Sequence, residues 1–255
     1  MAQLENLGGV AQSEVIVIPM IDVSGSMWGD KIGQVNEAMS EVPAQLADIN
    51  EENLECKLRL APMQFSFGAR WFGLDSAGQP AEVETFRWID MQASGQTDLG
   101  AALELLCKKL TVTENGGWMK GRGGAAPVLI LISDGGPTDD YQKPLEELKK
   151  RGWFSAAIKF AIAVGPLADK NVLAEFTGNP ETVVDANQLR TNLSTIVRRV
   201  IVSASKTGSK SISSNKINMS NTVTDNSSEA NKQLQEEAAE NVKKAINMDD
   251  SEDLF

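Results

Sequence analysis

Val15-Ile16-Val17-Ile18-Pro19-Met20-Ile21-Asp22-Val23-Ser24-Gly25-Ser26 joins an apolar run to a short polar loop, and an amphipathic stretch follows it. A continuous apolar run of this length reads as a strand buried on both faces of a parallel sheet. Proteins of that class place their sites at the carboxyl edge of the sheet. Alternate residues of an extended segment point the same way. Asp22, Ser24 and Ser26 therefore converge if the loop stays partly extended, and Gly25 lets the backbone bend between them. One carboxylate and two hydroxyls in that pattern are oxygen ligands for a hard divalent cation.

Two more loops bring further oxygen donors. Ser94-Gly95-Gln96-Thr97-Asp98 leads into a helical stretch, and Leu131-Ile132-Ser133-Asp134-Gly135-Gly136 follows the apolar strand Val128 to Ile132. They add Thr97 and Asp134 to the set. Oxygen-only donors point to Mg²⁺, Mn²⁺ or Ca²⁺ rather than zinc or copper. Mg²⁺ keeps several waters, which suits a site with only two carboxylates. Taken singly, each residue has a plainer role: Asp22 and Thr97 suit helix caps, and Ser24, Ser26 and Asp134 suit turns. Only the ordered set points to metal. Asp30 reads as a solvated helix start rather than the holder of a second cation, and Asp98 and Asp139 read as helix N-caps, with metal binding the lesser reading of Asp139 and Asp140. Met27 and Trp28 fall on the rim, either packing on the domain or meeting a ligand.

Outward from these loops, apolar strands alternate with helical patterns. Strands are expected near 14–22, 55–66, 127–133 and 156–164, with an antiparallel edge strand near 69–73 and a short last strand at 181–184. Residues 81–90 fit neither period. Helices are expected near 31–49, 98–111, 140–152, 169–177 and 187–204, with a kink or break at Pro43. The alternation predicts an α/β fold: a three-layer, doubly wound, Rossmann-like and mostly parallel sheet, with one antiparallel edge strand and helices on both faces. The loops after residues 22 and 133 share one rim, and the Thr97 loop must reach it to complete the site. Glu114 to Gly124 belongs on the opposite rim; its glycines match no phosphate-binding fingerprint, so it reads as a connector, with a partner contact through Trp118 as the rival.

Asp22, Ser24, Ser26, Thr97 and Asp134, in this order, resemble the metal-ion-dependent adhesion site of von Willebrand factor type A domains. The resemblance covers roughly residues 13–203. Ser94 to Gly100 and Ser133 to Asp140 look most like the bacterial TerY-like branch, which is associated with tellurite resistance and stress systems and is encoded beside a protein kinase and a protein phosphatase. The resemblance implies that the serines and the threonine touch the metal directly while the aspartates act largely through water. It also implies that a Glu or Asp of a partner protein completes the coordination: a metal-bridged contact, not a reaction.

The remaining composition narrows the class. The chain has 255 residues, two cysteines, no histidine and a formal charge of -11. Without histidine, Ser-His-Asp and Cys-His catalysis and histidine-ligated metals are excluded. The acidic balance disfavours nucleic acid and anionic membranes as partners. No apolar run approaches the ~18 residues of a membrane span, and no export signal is evident. Cys56 and Cys107 are expected to be reduced and buried, in a cytoplasmic protein. A metal-dependent phosphohydrolase with Asp22 as nucleophile is the enzymatic alternative, but the dehalogenase-type arrangement wants an aspartate where Ser24 stands. A phosphoacceptor domain wants an acidic pair that the first strand lacks.

Residues 1–12 read as an N-terminal extension and 13–203 as the domain. Residues 204–228 read as a Ser/Asn-rich disordered linker, and 229–255 as a helical and acidic C-terminal tail. The tail ends in Asp249-Asp250-Ser251-Glu252-Asp253-Leu254-Phe255, either a solubilising segment or a recognition peptide. A scaffold that binds through this tail, with a purely structural metal, is the alternative to cation-dependent binding.

Overall fold

Burial alternates strictly along the first strand. Val15, Val17, Ile21 and Val23 enter one apolar layer, and Ile16, Ile18 and Met20 enter the other. A computed structural model of the chain describes residues 13–52, 56–120 and 125–185. The expected N-terminal extension, the helix at 187–204, the linker and the tail lie outside them.

Among the described residues eight strands form one sheet: β1 (Ser13–Asp22), β2 (Cys56–Leu60), β3 (Met63–Ser66), β4 (Gly68–Trp71), β5 (Ala81–Glu82), β6 (Val128–Ser133), β7 (Ile158–Ala163) and β8 (Val183–Asp185). The spatial order is β4-β3-β1-β6-β7-β8, with β2 beside β1 and β5 beside β2. All pairings are parallel except β3 with β4, the expected edge hairpin, and the two-residue pairing of β2 with β5. The ambiguous segment after Gln79 therefore supplies only β5, then packs Val83, Phe86 and Met91 into the first layer.

The run expected as one strand over 55–66 is two. The register of Val17 with Leu60 and of Met20 with Met63 places Pro19 opposite Pro62, so the ladder loses donors at that point. Ala61 still donates to the Val17 carbonyl, and pairing resumes at Met63. β3 ends beside Asp22 and returns to the edge as β4.

Five helices are described: α1 (Asp30–Glu52), α2 (Leu99–Lys109), α3 (Gln142–Lys149), α4 (Gly152–Ala156) and α5 (Lys170–Thr177). α1 covers one face through Ile32, Val35, Met39, Val42 and Leu46. The others cover the opposite face through Leu103, Leu106, Leu148, Phe154, Leu173 and Phe176. The expected break at Pro43 does not occur. α1 runs through it, and Pro43 is buried among the helix's apolar positions. Each fully buried Leu, Ile or Val on these faces contributes about 1.5–3 kcal/mol, enough to offset one lost helical hydrogen bond.

The connections from β1 set the site. α1 leads from β1 to the β2/β3 side, whereas the chain reaches β6, on β1's other flank, only after α2. The strand order thus reverses between β1 and β6, and a crevice opens at their carboxyl ends. Asp22 closes β1 and Ser133 closes β6 at that crevice.

Candidate functional site

Asp22 is fully buried, and each of its oxygens has a donor. The Ser24 amide donates to Oδ1 at 2.8 Å, and the Ser133 hydroxyl donates to Oδ2 at 2.6 Å. Burial pushes the Asp22 carboxyl above its ordinary range. The Ser133 and Ser24 hydrogen bonds pull the other way, and nearby Asp134 adds to the rise. A carboxylate held in this way is poised for a compensating cation.

From Ser24 the network continues outward. Ser24 Oγ and Ser26 Oγ lie 3.0 Å apart, and Ser26 donates to Asp134 Oδ1 at 2.7 Å. A single 3₁₀ turn, Gly25–Met27, holds Ser26 at this height and sends Met27 into the core. Trp28, the next residue, is exposed, so the structure assigns packing to Met27 and the open rim to Trp28.

The second loop is tied in through its backbone. Gly25 N donates to the Gly95 carbonyl at 3.0 Å, and Ser94 N to the Val23 carbonyl at 2.7 Å. A Cβ on Gly25 would lie 3.3 Å from that Gly95 oxygen, so the two loops meet closely because a glycine stands there. Thr97 is buried at the same rim. It exchanges backbone-side bonds with Thr138: Thr97 N donates to Thr138 Oγ1, and Thr138 N to the Thr97 carbonyl, both at 2.9 Å. Thr97 Oγ1 stands outside the hydroxyl chain that links Ser24, Ser26 and Asp134.

Two capping expectations change partners. Asp98 precedes α2, but its Oδ2 accepts from Gly68 N at 2.7 Å, fixing the β3–β4 hairpin to the Thr97 loop. Asp139 does not cap α3. It reaches across to the first turn of α2, accepting from Gly100 N at 2.9 Å and Ala101 N at 3.0 Å. This cap locks the Asp134 loop against the Thr97 loop. Asp30 opens α1 in an exposed position, as a helix-start acid.

Sequence reasoning missed two residues. Ser133, at the end of the expected strand 127–133, carries no site role in the sequence, yet it is buried and orients Asp22; a serine closing a strand whose every residue is buried must find a partner. Lys31, in the first turn of α1, forms an ion pair with Asp134 Oδ2 and donates to the Ser26 carbonyl at 3.1 Å. Among the described residues its ammonium is the one cation placed on the site's carboxylates, and no spacing rule points to it.

The arrangement collects five oxygen-bearing side chains from three loops at one edge. Among the described residues no cluster of three or more His, Cys, Asp or Glu forms a metal site. Here hydroxyls outnumber carboxylates, the donor chemistry of a hard cation. Elsewhere, Trp118 is buried edge-on against Trp71 with ring centroids 4.5 Å apart, which removes it as a partner contact. Cys107 is a free thiol, half-buried rather than buried. No described helix is long and apolar enough to cross a membrane.

The family profile of the von Willebrand factor type A domain matches residues 16–199, and the chain belongs to that family. Cuticlin-6 of Caenorhabditis elegans is 28% identical over 176 residues, covering 68% of this chain and 28% of the relative. Human inter-alpha-trypsin inhibitor heavy chain H2 is 32% identical over 125 residues, covering 48% of this chain and 12% of the relative. The chain thus spans less than a third of either relative. Among solved structures, mussel-byssus proximal thread matrix protein 1 with a zinc-occupied MIDAS motif aligns at TM-score 0.55. That match is 17% identical and covers 74% of this chain and 48% of that one. A von Willebrand factor type A protein from Catenulispora acidiphila aligns at TM-score 0.52 and 17% identity, over 73% and 42% of the two chains. These structures share the three-layer fold with its mostly parallel sheet.

Proposed function

We propose that Asp22, Ser24, Ser26, Thr97 and Asp134 hold a divalent cation whose coordination is completed by an Asp or Glu of a protein partner. The observation that carries this reading is the hydroxyl chain from Ser24 through Ser26 to Asp134, set beside a buried Asp22. The donor set fits the group. Ser24 and Ser26 hydroxyls share a hydrogen bond at 3.0 Å, so the two neutral oxygens already stand together where one cation of the Mg²⁺ or Mn²⁺ class would be held.

The cation, once bound, supplies Lewis-acid attraction for an external carboxylate. The chain's own residues do the rest. Ser133 and the Ser24 amide each donate to one Asp22 oxygen, which holds the carboxylate in one orientation and leaves each oxygen a lone pair for the cation or its water. Neutral hydroxyls bring no formal charge to the cation, which stays electron-poor toward a partner. The site lacks an enzyme's parts: the residue two after Asp22 is Ser24, not an acid, and the chain has no histidine. Binding, not turnover, is the function.

A narrower proposal places the complex in a cytoplasmic stress or tellurite-resistance system with a kinase and a phosphatase. It rests on the loops Ser94–Gly100 and Ser133–Asp140 alone. Affinity capture from a native extract, with EDTA and with Mg²⁺ restored, tests the function. A partner retained only with Mg²⁺, and lost in Ser24→Ala/Ser26→Ala, is the expected result. A partner retained in EDTA and by the variant would refute the cation-bridged reading.

A further inference from the structure

Four large apolar side chains are notably exposed among the described residues: Trp28 at 78%, Phe67 at 73%, Ile89 at 76% and Leu167 at 90%. Three of them lie beside the site: Trp28 and Phe67 each against one of its loops, and Leu167 in a neighbouring loop that meets it through Lys31. Trp28 follows the turn that carries Ser26. Phe67 tips the β3–β4 hairpin, with its ring against Gly95: a Cβ there would lie 2.6 Å from Phe67 Cδ2. Leu167 lies in the loop after β7, where Gly165 packs against Lys31, the partner of Asp134. An apolar rim around a cation-binding centre asks for a ligand with a carboxylate beside large apolar side chains.

We propose that this rim receives the chain's own acidic C-terminal segment, Asp249 to Phe255, with one of its carboxylates at the cation and Leu254 and Phe255 on the apolar rim. The proposal rests on the cation-bridged reading and names the ligand of that same site. The segment sets four carboxylates next to Leu254 and Phe255, the required combination within seven residues. It lies beyond the family match, which ends at residue 199. β8 pairs parallel with β7, Asp185 beside Ala163, so it ends at the same sheet edge as Asp22 and Ser133. Three strand spacings of ~4.8 Å separate β8 from β1, about 14 Å across the sheet. Residues 186–248 lie between, and even at the ~1.5 Å per residue of a helix that length of chain exceeds the distance several-fold. Charge agrees: with a divalent cation offset by Asp22 and Asp134, Lys31 leaves the centre net positive toward an acidic peptide.

The test compares the full chain with full-length Leu254→Ser/Phe255→Ser, using a fluorescently labelled peptide of residues 249–255 and polarisation in Mg²⁺ or EDTA. Mn²⁺ uptake by electron paramagnetic resonance is measured on the same samples. The tail variant is expected to bind the peptide at least about tenfold more tightly than the wild type, whose own tail competes, and only in Mg²⁺. Adding Trp28→Ser and Phe67→Ser should weaken the peptide about tenfold or more while Mn²⁺ uptake holds, since these aromatics are exposed anchors and not cation ligands. Sedimentation then reads whether the tail docks within one copy or between two. A tail variant that takes up Mn²⁺ but ignores the peptide, or binds it equally in EDTA, overturns the proposal. Mg²⁺-dependent self-association that survives the tail variant also overturns it, in favour of a second copy's surface. A wild type that takes up no Mn²⁺ refutes instead the cation reading on which it stands.

Discussion

Replacing Lys31 with Met separates the two cations that compete for Asp134. The Lys31 ammonium is ion-paired to Asp134 Oδ2, whose side chain is 1% exposed, and the lysine side chain itself is 34% exposed. A divalent cation on the same carboxylate would sit within about 4–5 Å of that ammonium. Unit charges at ~4 Å repel by about 1 kcal/mol in water and about 4 kcal/mol at an effective dielectric of 20, and a divalent ion doubles both. Lys31 is a third exposed and can swing into solvent, which cuts the net repulsion to about 1–2 kcal/mol, or roughly 5–30-fold in affinity. Lys31→Met should therefore bind Mn²⁺ roughly 5–30-fold more tightly by calorimetry. The metal-free protein should lose stability, because Asp134 keeps only the Ser26 hydroxyl among its two hydrogen-bonded partners. A loss of about 1–2 kcal/mol lowers the melting temperature by about 2–8 °C in EDTA, and saturating Mg²⁺ should more than recover it. An unchanged or weaker Mn²⁺ affinity in Lys31→Met would refute the competition.

Three other substitutions probe the supports of the site and the sheet. Ser133→Ala removes the 2.6 Å donor to Asp22, which should weaken Mn²⁺ binding about 10–100-fold and cost about 1–3 kcal/mol in chemical denaturation; wild-type affinity would show that Ser133 does not position Asp22. Gly100→Ala ordinarily stabilises a helix, but here a Cβ would lie 2.6 Å from the Asp140 carbonyl and 2.7 Å from Asp139 Oδ2. It should destabilise by about 1–3 kcal/mol and loosen the cation site together with the Thr97 loop; a gain in stability would contradict the contact. Lys159 is buried on β7, donating to the Phe154 and Ala157 carbonyls, and burial lowers its pKa from 10.5 to about 8. The unfolded chain therefore binds more protons than the folded one between those values, so stability rises with pH across about 8 to 10.5 and the gain is lost as pH falls through 8. The difference in stability between wild type and Lys159→Met, followed by urea denaturation at each pH, should change by about 3 kcal/mol over that window; a flat difference would show that Lys159 stays charged in the fold.

Most of the architecture is legible because apolar runs and helical periods are local properties of the chain. Val15 to Ile21 and Val128 to Ile132 are central strands, and their carboxyl ends deliver Asp22 and Asp134 to one crevice. What escapes the sequence depends on spatial neighbours. Asp139 sits before one helix and caps another, because α2 packs closer to its carboxylate than α3 begins. Lys31 looks like any lysine in a first helical turn until the fold brings Asp134 to it. Pro43 breaks an isolated helix, yet in α1 the buried face outweighs the missing donor. Pro19 and Pro62 mark the split between β2 and β3 only once the register sets them opposite each other.

The central claim, that this hydroxyl-rich set holds a divalent cation, is tested most directly by counting Mn²⁺ bound per chain by electron paramagnetic resonance. Wild type is compared with Asp22→Asn and Ser24→Ala/Ser26→Ala, each shown to be folded by circular dichroism. One Mn²⁺ per chain in the wild type, displaced by Mg²⁺ and lost in both variants, is the predicted result. Folded variants that keep the wild-type stoichiometry would place the cation elsewhere and contradict the account.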